Sequence, residues 1–288
     1  MSRSSSTIRS YLYVAGNDPR RVEKALTSKA DAVVLDLEDA VAPKHKDDAR
    51  RTVEGKLKHR NPKPVFVRVN APGGPLRELD IEAVLSPNLA GIRLPKTESA
   101  AEVLSVAERL DESGCVAGIQ CLIESALGLE MAFEISRSHS RVASLGLGEA
   151  DIASDLGVSG DEGLLYSRSR IVSAARAAGL AAPVQSVFTN IGDLDGLRRS
   201  TEAGKRLGFV GRSAIHPAQI PIINEVFTPT EQEISEAEGL LSRLESTAES
   251  GMGVFVMDNG RFVDEAVVRG ARSTLALARR SGQTLETR

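Results

Sequence analysis

The feature that most constrains the fold is an alternation in which short apolar runs are separated by longer amphipathic stretches, eight times over between Tyr11 and Phe227. Such alternation signals successive βαβ units and a parallel sheet. The expected strands are Tyr11–Ala15, Ala32–Leu37, Val65–Val69, Gly91–Leu94, Gly118–Ile123, Val142–Leu147, Val184–Phe188 and Phe209–Ile215. Helices are expected at Pro19–Ser28, Lys46–Arg60, Leu76–Leu85, Glu98–Ser113, Leu127–Ser138, Asp161–Ala178, Asp193–Leu207 and Pro217–Val226. Runs such as VVLDL and VASLGLG are apolar on both faces, as barrel strands must be when helices cover them outside and their own side chains pack inside. Eight such units predict an α/β fold, a (β/α)8 TIM barrel. The alternative, an open doubly wound sheet, usually carries a glycine fingerprint after the first strand, and YVAGNDPRR lacks GxGxxG.

The chain has 288 residues, enough for one barrel and an appendage. Residues 1–10 read as a disordered N-terminal tail and residues 11–227 as the catalytic barrel. Beyond Phe227 the pattern changes. Thr228 and Glu231 suit a capping box opening a long charged amphipathic helix, GVFVM-DNG-RFVDE alternates around an Asn-Gly hairpin turn, and a final helix starts near Glu265. Residues 228–288 therefore form a C-terminal helical and hairpin extension.

Formal net charge is only −3, and Trp is absent with aromatics at 3%, so neither a global field nor a stacking platform favours nucleic acid. No stretch approaches the roughly 20 apolar residues of a membrane span, and the opening residues hold no secretory apolar run. A cytoplasmic protein with small-molecule partners is the expectation. Cys115 and Cys121, in neither CxxC nor CxxH spacing, read as buried thiols.

In a (β/α)8 barrel the active site is built at the carboxyl ends of the strands. Here those ends carry Asp36, Glu38 and Asp39 (LDLEDA), Arg68 and Asn70 (VRVN), Arg93 and Lys96 (IRLPK), Glu124 (CLIES), Glu149 and Asp151 (LGLGEAD), and His216. Any one of them could be a rim salt bridge or a cap; acids and bases converging from five strands point to a site. Gathering so many carboxylates costs free energy unless cations neutralise them. Oxygen donors without clustered Cys or His describe a hard-cation site, Mg2+ before Mn2+, that could activate an α-keto acid while Arg68 stabilises developing enolate or alkoxide charge. A Schiff base on Lys96 is the rival mechanism.

The segments YVAGNDPRR, VVLDLEDAV, VFVRVN, IRLPKTES, IESALGLE, LGLGEADIASDLG, SRSRIVSAARAAGL, GRSAIHPAQI and GRFVDEAVV, in this order, resemble the citrate lyase beta-subunit-like family, within the group that also holds malyl-CoA lyases and HpcH/HpaI aldolases. The resemblance implies metal ligation by Glu124 and Asp151, keto-acid contact by Arg68, and acyl-CoA lying near Asn17, Arg20 and Lys96; Glu38 joins Arg68 as a candidate catalytic residue. It further implies a homotrimer or dimer of trimers in which the C-terminal segment packs on a neighbouring subunit, with Asp264 reaching that subunit's site to move a proton. Without it, Asp264 reads as a helix N-cap. The implied reaction is reversible cleavage of a malyl-, citramalyl- or citryl-CoA type 3-hydroxy-carboxy acyl-CoA into an acyl-CoA and a 2-keto acid, with thioester hydrolysis as a variation. The competing readings are a CoA-independent class II aldolase acting on a small hydroxy-keto acid and a non-catalytic binding protein on a lyase scaffold. APGGPLRELD and QSVFTNIGDLDG depart from the family's usual rim loops, which leaves substrate choice open.

Overall fold

Eight parallel strands close into a barrel in sequence order: β1 (Ser10–Ala15), β2 (Ala32–Asp36), β3 (Val65–Arg68), β4 (Gly91–Leu94), β5 (Gly118–Ile123), β6 (Val142–Leu147), β7 (Val184–Gln185) and β8 (Gly211–Ala214), with β8 paired back to β1. The computed structural model describes residues 8–248, 255–256 and 262–280. Between the strands run α1 (Pro19–Leu26), α2 (Lys46–Leu57), α3 (Leu76–Val84), α4 (Ala100–Glu112), α5 (Ala126–Glu130), α6 (Ala132–Arg137), α7 (Glu149–Leu156), α8 (Gly160–Ala177) and α9 (Leu194–Leu207), and α10 (Ile220–Val226) follows β8. The predicted (β/α)8 barrel is thus the fold. The helix expected at Leu127–Ser138 is split at Met131, and α7 was not anticipated.

Short polar side chains close the turns at the carboxyl rim. Asp18, Ser99, Ser125 and Asp193 each accept a hydrogen bond from a backbone N–H in the first turn of the following helix, satisfying donors a helix cannot satisfy itself. Inside the barrel, Tyr11, Ala32, Val34, Phe66 and Val184 form an apolar layer, with the Tyr11 and Phe66 rings edge to face at 5.3 Å. The register links Ala15 to Asp36, Asp36 to Arg68, Arg68 to Arg93, Arg93 to Gln120 and Gln120 to Ser144. Paired residues of neighbouring strands face the same side, so this row carries polar groups into the barrel interior.

Ile8–Ser10, expected in the tail, are ordered. Arg9 donates to Asp31 through its amide and guanidinium, and its carbonyl accepts from Arg212 at 2.8 Å, which extends the ladder below Tyr11. Residues 1–7 of that tail lie outside the described residues. The chain divides into two compact units, one of them Ile8–Glu225. The other contains α11 (Glu231–Ala248), β9 (Phe255–Val256), antiparallel β10 (Phe262–Val263) and α12 (Glu265–Arg280), with a core of its own from Ile234, Ala237, Leu240, Val263, Val268, Ala271, Leu275 and Ala278. The capping box forms at Thr230 and Glu233, not at Thr228 and Glu231: Glu233 N–H donates to Thr230 Oγ1 at 3.1 Å, and Thr230 N–H to Glu233 Oε2 at 2.8 Å. That register lets the Thr230 carbonyl accept from Ile234, the first buried apolar residue of the helix. The Asn259–Gly260 turn lies outside the described residues. Among the described residues, no helix is long and apolar enough to cross a membrane.

Asn70 has a structural post. Buried Asp80 of α3 accepts its amide at 2.9 Å, its side-chain Nδ2 at 2.6 Å and Arg50 Nε at 2.9 Å, fastening the turn after β3 to α2 and α3. Removing one partner of a buried pair leaves the others uncompensated, so Asp80→Ala is expected to cost about 3–5 kcal/mol in denaturant unfolding. A loss below about 1 kcal/mol would contradict the role.

Candidate active site

The polar row ends in a cleft of about 390 Å3 at the carboxyl rim, lined by Tyr13, Asp36, Arg68, Arg93, Gln120, Glu124, Ser144, Glu149, Asp151 and Ser213 among others. Arg68 is its electrostatic centre. Its Nε and Nη2 bind Asp36 at 2.8 and 2.6 Å, Nη1 meets Asp39 at 3.0 Å and Glu38 at 3.1 Å, and the guanidinium stacks over the Tyr13 ring. The fork that would suit a substrate carboxylate is therefore occupied by Asp36. Asp36 is held in turn by the amides of Glu38 and Ala40.

Glu38 joins the cluster without lining the cleft. Its carboxylate lies between Arg68 and Lys96, 3.3 Å from Lys96 Nζ. Burial raises its pKa, and neighbouring Asp39 and Asp36 add to the rise against the pull of Arg68 and Lys96. Lys96 does not line the cleft either. Its backbone lies in the left-handed region at φ 49°, which is unusual for a residue with a Cβ, and this conformation directs its N–H to Glu124 Oε2 at 2.9 Å.

Glu124, just beyond β5, is buried and lines the cleft. Burial is the largest cause pushing its carboxyl up to about 7, and the charges of Glu38 and Asp151 act in the same direction. Asp151 was expected to end β6; it lies instead in the first turn of α7, exposed, with no hydrogen bond to its carboxylate among the described residues. Ala150 and Asp151 line the same cleft, and among the described residues their amides, in the first turn of that helix, have no backbone acceptor. Gly148 sits where these elements meet. A Cβ there would lie 2.5 Å from Glu124 Cγ and Oε1, so the glycine is what allows the α7 turn to close over the Glu124 carboxylate.

Two carboxylates in one cleft, one of them raised by burial and by the charges of its neighbours, suit a hard divalent cation. No group of three or more His, Cys, Asp or Glu converges as a metal cluster among the described residues, so water and substrate oxygens would have to complete a coordination shell.

The remaining candidates are dispersed. Asn17 and Arg20 line a cavity of about 540 Å3 beside the β1 turn, while His216 lines another of about 630 Å3 with Arg21, Lys24 and Ile191. The second shares Tyr13, Ala40 and Ile215 with the cleft. Arg93 is buried in the floor, donating to Gln120, Tyr13 and Ser213. Asp264 belongs to the other unit, where its carboxylate accepts from Val267 N–H at 3.0 Å and caps α12. Cys115 and Cys121 are buried and unpaired, as expected, and burial pushes the Cys121 thiol up to about 12. Sequence reasoning missed Tyr13, Gln120, Ser144 and Ser213, polar residues inside apolar runs whose only signal is their place on the inward face.

Barrel and rim together are those of a (β/α)8 carbon–carbon lyase. The chain belongs to the HpcH/HpaI aldolase/citrate lyase family, whose model matches residues 9–217. It is 38% identical to citrate lyase subunit beta of Leuconostoc mesenteroides subsp. cremoris, over 94% of this chain and 93% of that protein. It is 35% identical to (3S)-malyl-CoA thioesterase of Cereibacter sphaeroides, over 96% of this chain and 97% of that protein. The crystal structure of CitE from Mycobacterium tuberculosis in complex with magnesium, acetoacetate and coenzyme A is similar with a TM-score of 0.80 and 29% identity, covering 98% of this chain and all of that one.

Because the atoms that a Gly148 Cβ would meet are the end of a side chain and not backbone, Gly148→Ala is expected to leave the fold intact and displace the Glu124 carboxylate. Thermal unfolding should change little while Mn2+ affinity falls about tenfold or more. Unchanged affinity in a folded variant would show that the close approach has no bearing on the site.

Proposed function

We propose that this chain cleaves, and in reverse forms, a 3-hydroxy-carboxy acyl-CoA of the malyl-, citramalyl- or citryl-CoA kind, yielding an acyl-CoA and a 2-keto acid, with Mg2+ held by Glu124 and Asp151 and Mn2+ able to replace it. The observation that carries this reading is the convergence of Glu124, Asp151 and Arg68 on one cleft, with Glu124 pushed up to about 7 by burial and, after it, by the charges of Glu38 and Asp151. Support comes from the related CitE, which binds magnesium, acetoacetate and coenzyme A.

When bound, the cation supplies Lewis acidity at the keto-acid carbonyl. The amides of Ala150 and Asp151 orient the keto-acid carboxylate at the positive end of α7. Arg68 keeps its fork on Asp36 and turns Nη1 from exposed Asp39 to the substrate oxygens, offsetting the negative charge that develops when the carbon–carbon bond breaks. Glu38 and Lys96 act as positioning residues, one setting Arg68 and the other orienting Glu124. Asn17 and Arg20 contact the CoA phosphates. The relative named as a malyl-CoA thioesterase favours a second outcome at the same site, hydrolysis of the thioester.

The test is a screen of acyl-CoA thioesters with Mg2+, scoring release of keto acid and of free thiol. Release without any CoA thioester would favour the class II aldolase, and no turnover of any kind the non-catalytic reading. Lewis-acid stabilisation is worth several kcal/mol, so Glu124→Gln and Asp151→Asn should each lower kcat/KM by about 10²-fold or more, and chelation by EDTA should do the same. Protons compete with the cation at Glu124, so Mn2+ affinity should fall as pH drops below about 7 and level off above it. Arg68→Lys, which retains the charge but not the fork, should lose most activity while remaining folded. Normal activity with EDTA present would remove the metal from the mechanism.

We further propose a homotrimer or dimer of trimers in which Asp264 of one copy serves the barrel of another as proton donor or acceptor. Capping alone costs about 0.5–2 kcal/mol of stability, whereas a positioned acid is worth about 10²–10⁴ in rate. Mixing inactive Asp264→Asn chains with inactive Glu124→Gln chains should therefore restore activity in hybrids. Confirmed hybrids that stay inactive would leave Asp264 as a cap.

A further inference from the structure

Among the described residues the Asp151 carboxylate has no hydrogen bond, and α7 has no side-chain cap, so the position of this carboxylate depends on whatever fixes the start of the helix. Two residues earlier, Glu149 turns away to meet Arg168 of α8. Its Oε1 accepts from Nε at 3.0 Å and its Oε2 from Nη2 at 2.6 Å, a bidentate pair, and Arg168 Nη1 binds Asp161 at 2.9 Å. Arg168 is 8% exposed. The backbone on either side is tied down as well: Glu149 N–H reaches Ser186 Oγ at 3.4 Å, and Gly148 N–H donates to the Ile123 carbonyl at 2.9 Å, one residue before Glu124.

We infer that Arg168 is a positioning residue for the active site: by gripping Glu149 at the first position of α7, it sets where Asp151 and the amides of the first turn stand relative to Glu124. The inference rests on the proposed role of Asp151 as a cation ligand. A planar guanidinium on a carboxylate fixes two atoms and a plane, whereas an ammonium fixes a single point and would let the helix start rotate. Groups that orient ligands from behind typically contribute about 10–100-fold to metal affinity.

The experiment is Mn2+ titration followed by the EPR signal of the free ion, with thermal unfolding in parallel, on purified full-length chains. Arg168→Lys and Arg168→Met are expected to weaken Mn2+ binding by about 10–100-fold. Glu149→Gln keeps the size of the side chain and should weaken binding several-fold. The double variant Glu149→Gln/Arg168→Met should be no weaker than Arg168→Met alone, since both changes break one contact. If the Arg168 variants do not fold, Glu149→Gln decides the matter by itself. Affinity within twofold of the parent in folded variants that merely melt earlier would overturn the inference, leaving Arg168 as a tie between two helices. Asp151→Asn in the same titration separates the causes. If it too leaves Mn2+ affinity unchanged, the cation assignment has failed; if it abolishes binding while Arg168→Lys does not, only the positioning role has.

Discussion

The ion pair between Arg68 and Asp36 is what permits acids to gather at this rim. Asp36 is almost fully buried at the end of β2, and a lone carboxylate there would be costly to ionise; the guanidinium of the adjacent strand meets it bidentately. The same cation reaches Glu38 and Asp39, and Lys46 holds the carbonyls of Leu37 and Glu38 from behind. Even so the cations are outnumbered: Asp36, Glu38, Asp39, Glu124 and Asp151 face Arg68, Arg93, Lys96 and Lys46. Glu124, raised first by its burial, is pushed further by the charges of Glu38 and Asp151, to about 7. A site that is too acidic for its own cations is one in which an added divalent ion restores balance.

Strand ends were legible in the sequence because barrel strands are apolar on both faces and the first polar residue afterwards marks the rim. Asp36, Arg68, Glu124 and the Glu149–Asp151 segment were found in this way. Which of them face one another was not legible, because that depends on competition between neighbours on adjacent strands. Arg68 was expected to contact the keto acid; Asp36, paired with it in the β2–β3 register, occupies its fork. Glu38 was expected among the catalytic groups; its carboxylate lies between Arg68 and Lys96 and does not line the cleft. The helix carrying Asp151 has eight residues, too few to display a helical period, and reads as the tail of a strand. Arg168 gave no signal at all, since an arginine in a long amphipathic helix looks like solvated surface until its partner is known.

The cleft is also shaped by backbone choices that composition cannot reveal. Lys96 occupies a left-handed conformation at the end of β4, and the cost, of order 1–3 kcal/mol, is offset where the turn meets the site, through an amide aimed at Glu124 and an ammonium on Glu38. On the opposite side Gly148 omits the one atom that would collide with the same carboxylate. Glu124 is thereby held between a strained residue that donates to it and a bare one that makes room for it.

This arrangement bears on the choice between two ways of polarising a keto-acid carbonyl. A Schiff-base mechanism needs a lysine whose amine is free at neutral pH, which requires burial away from anions or a neighbouring cation. At Lys96 burial does act to lower the pKa, but the charge of Glu38 and its hydrogen bond outweigh it, and the net shift is upward. The ammonium is thus stabilised where the mechanism would need it deprotonated, and the side chain does not line the cleft. The ion pair that disqualifies Lys96 as a nucleophile also favours the ionised form of Glu38, against the rise that burial imposes there. The rim thus disfavours covalent catalysis by its own lysine and favours charge compensation by a cation.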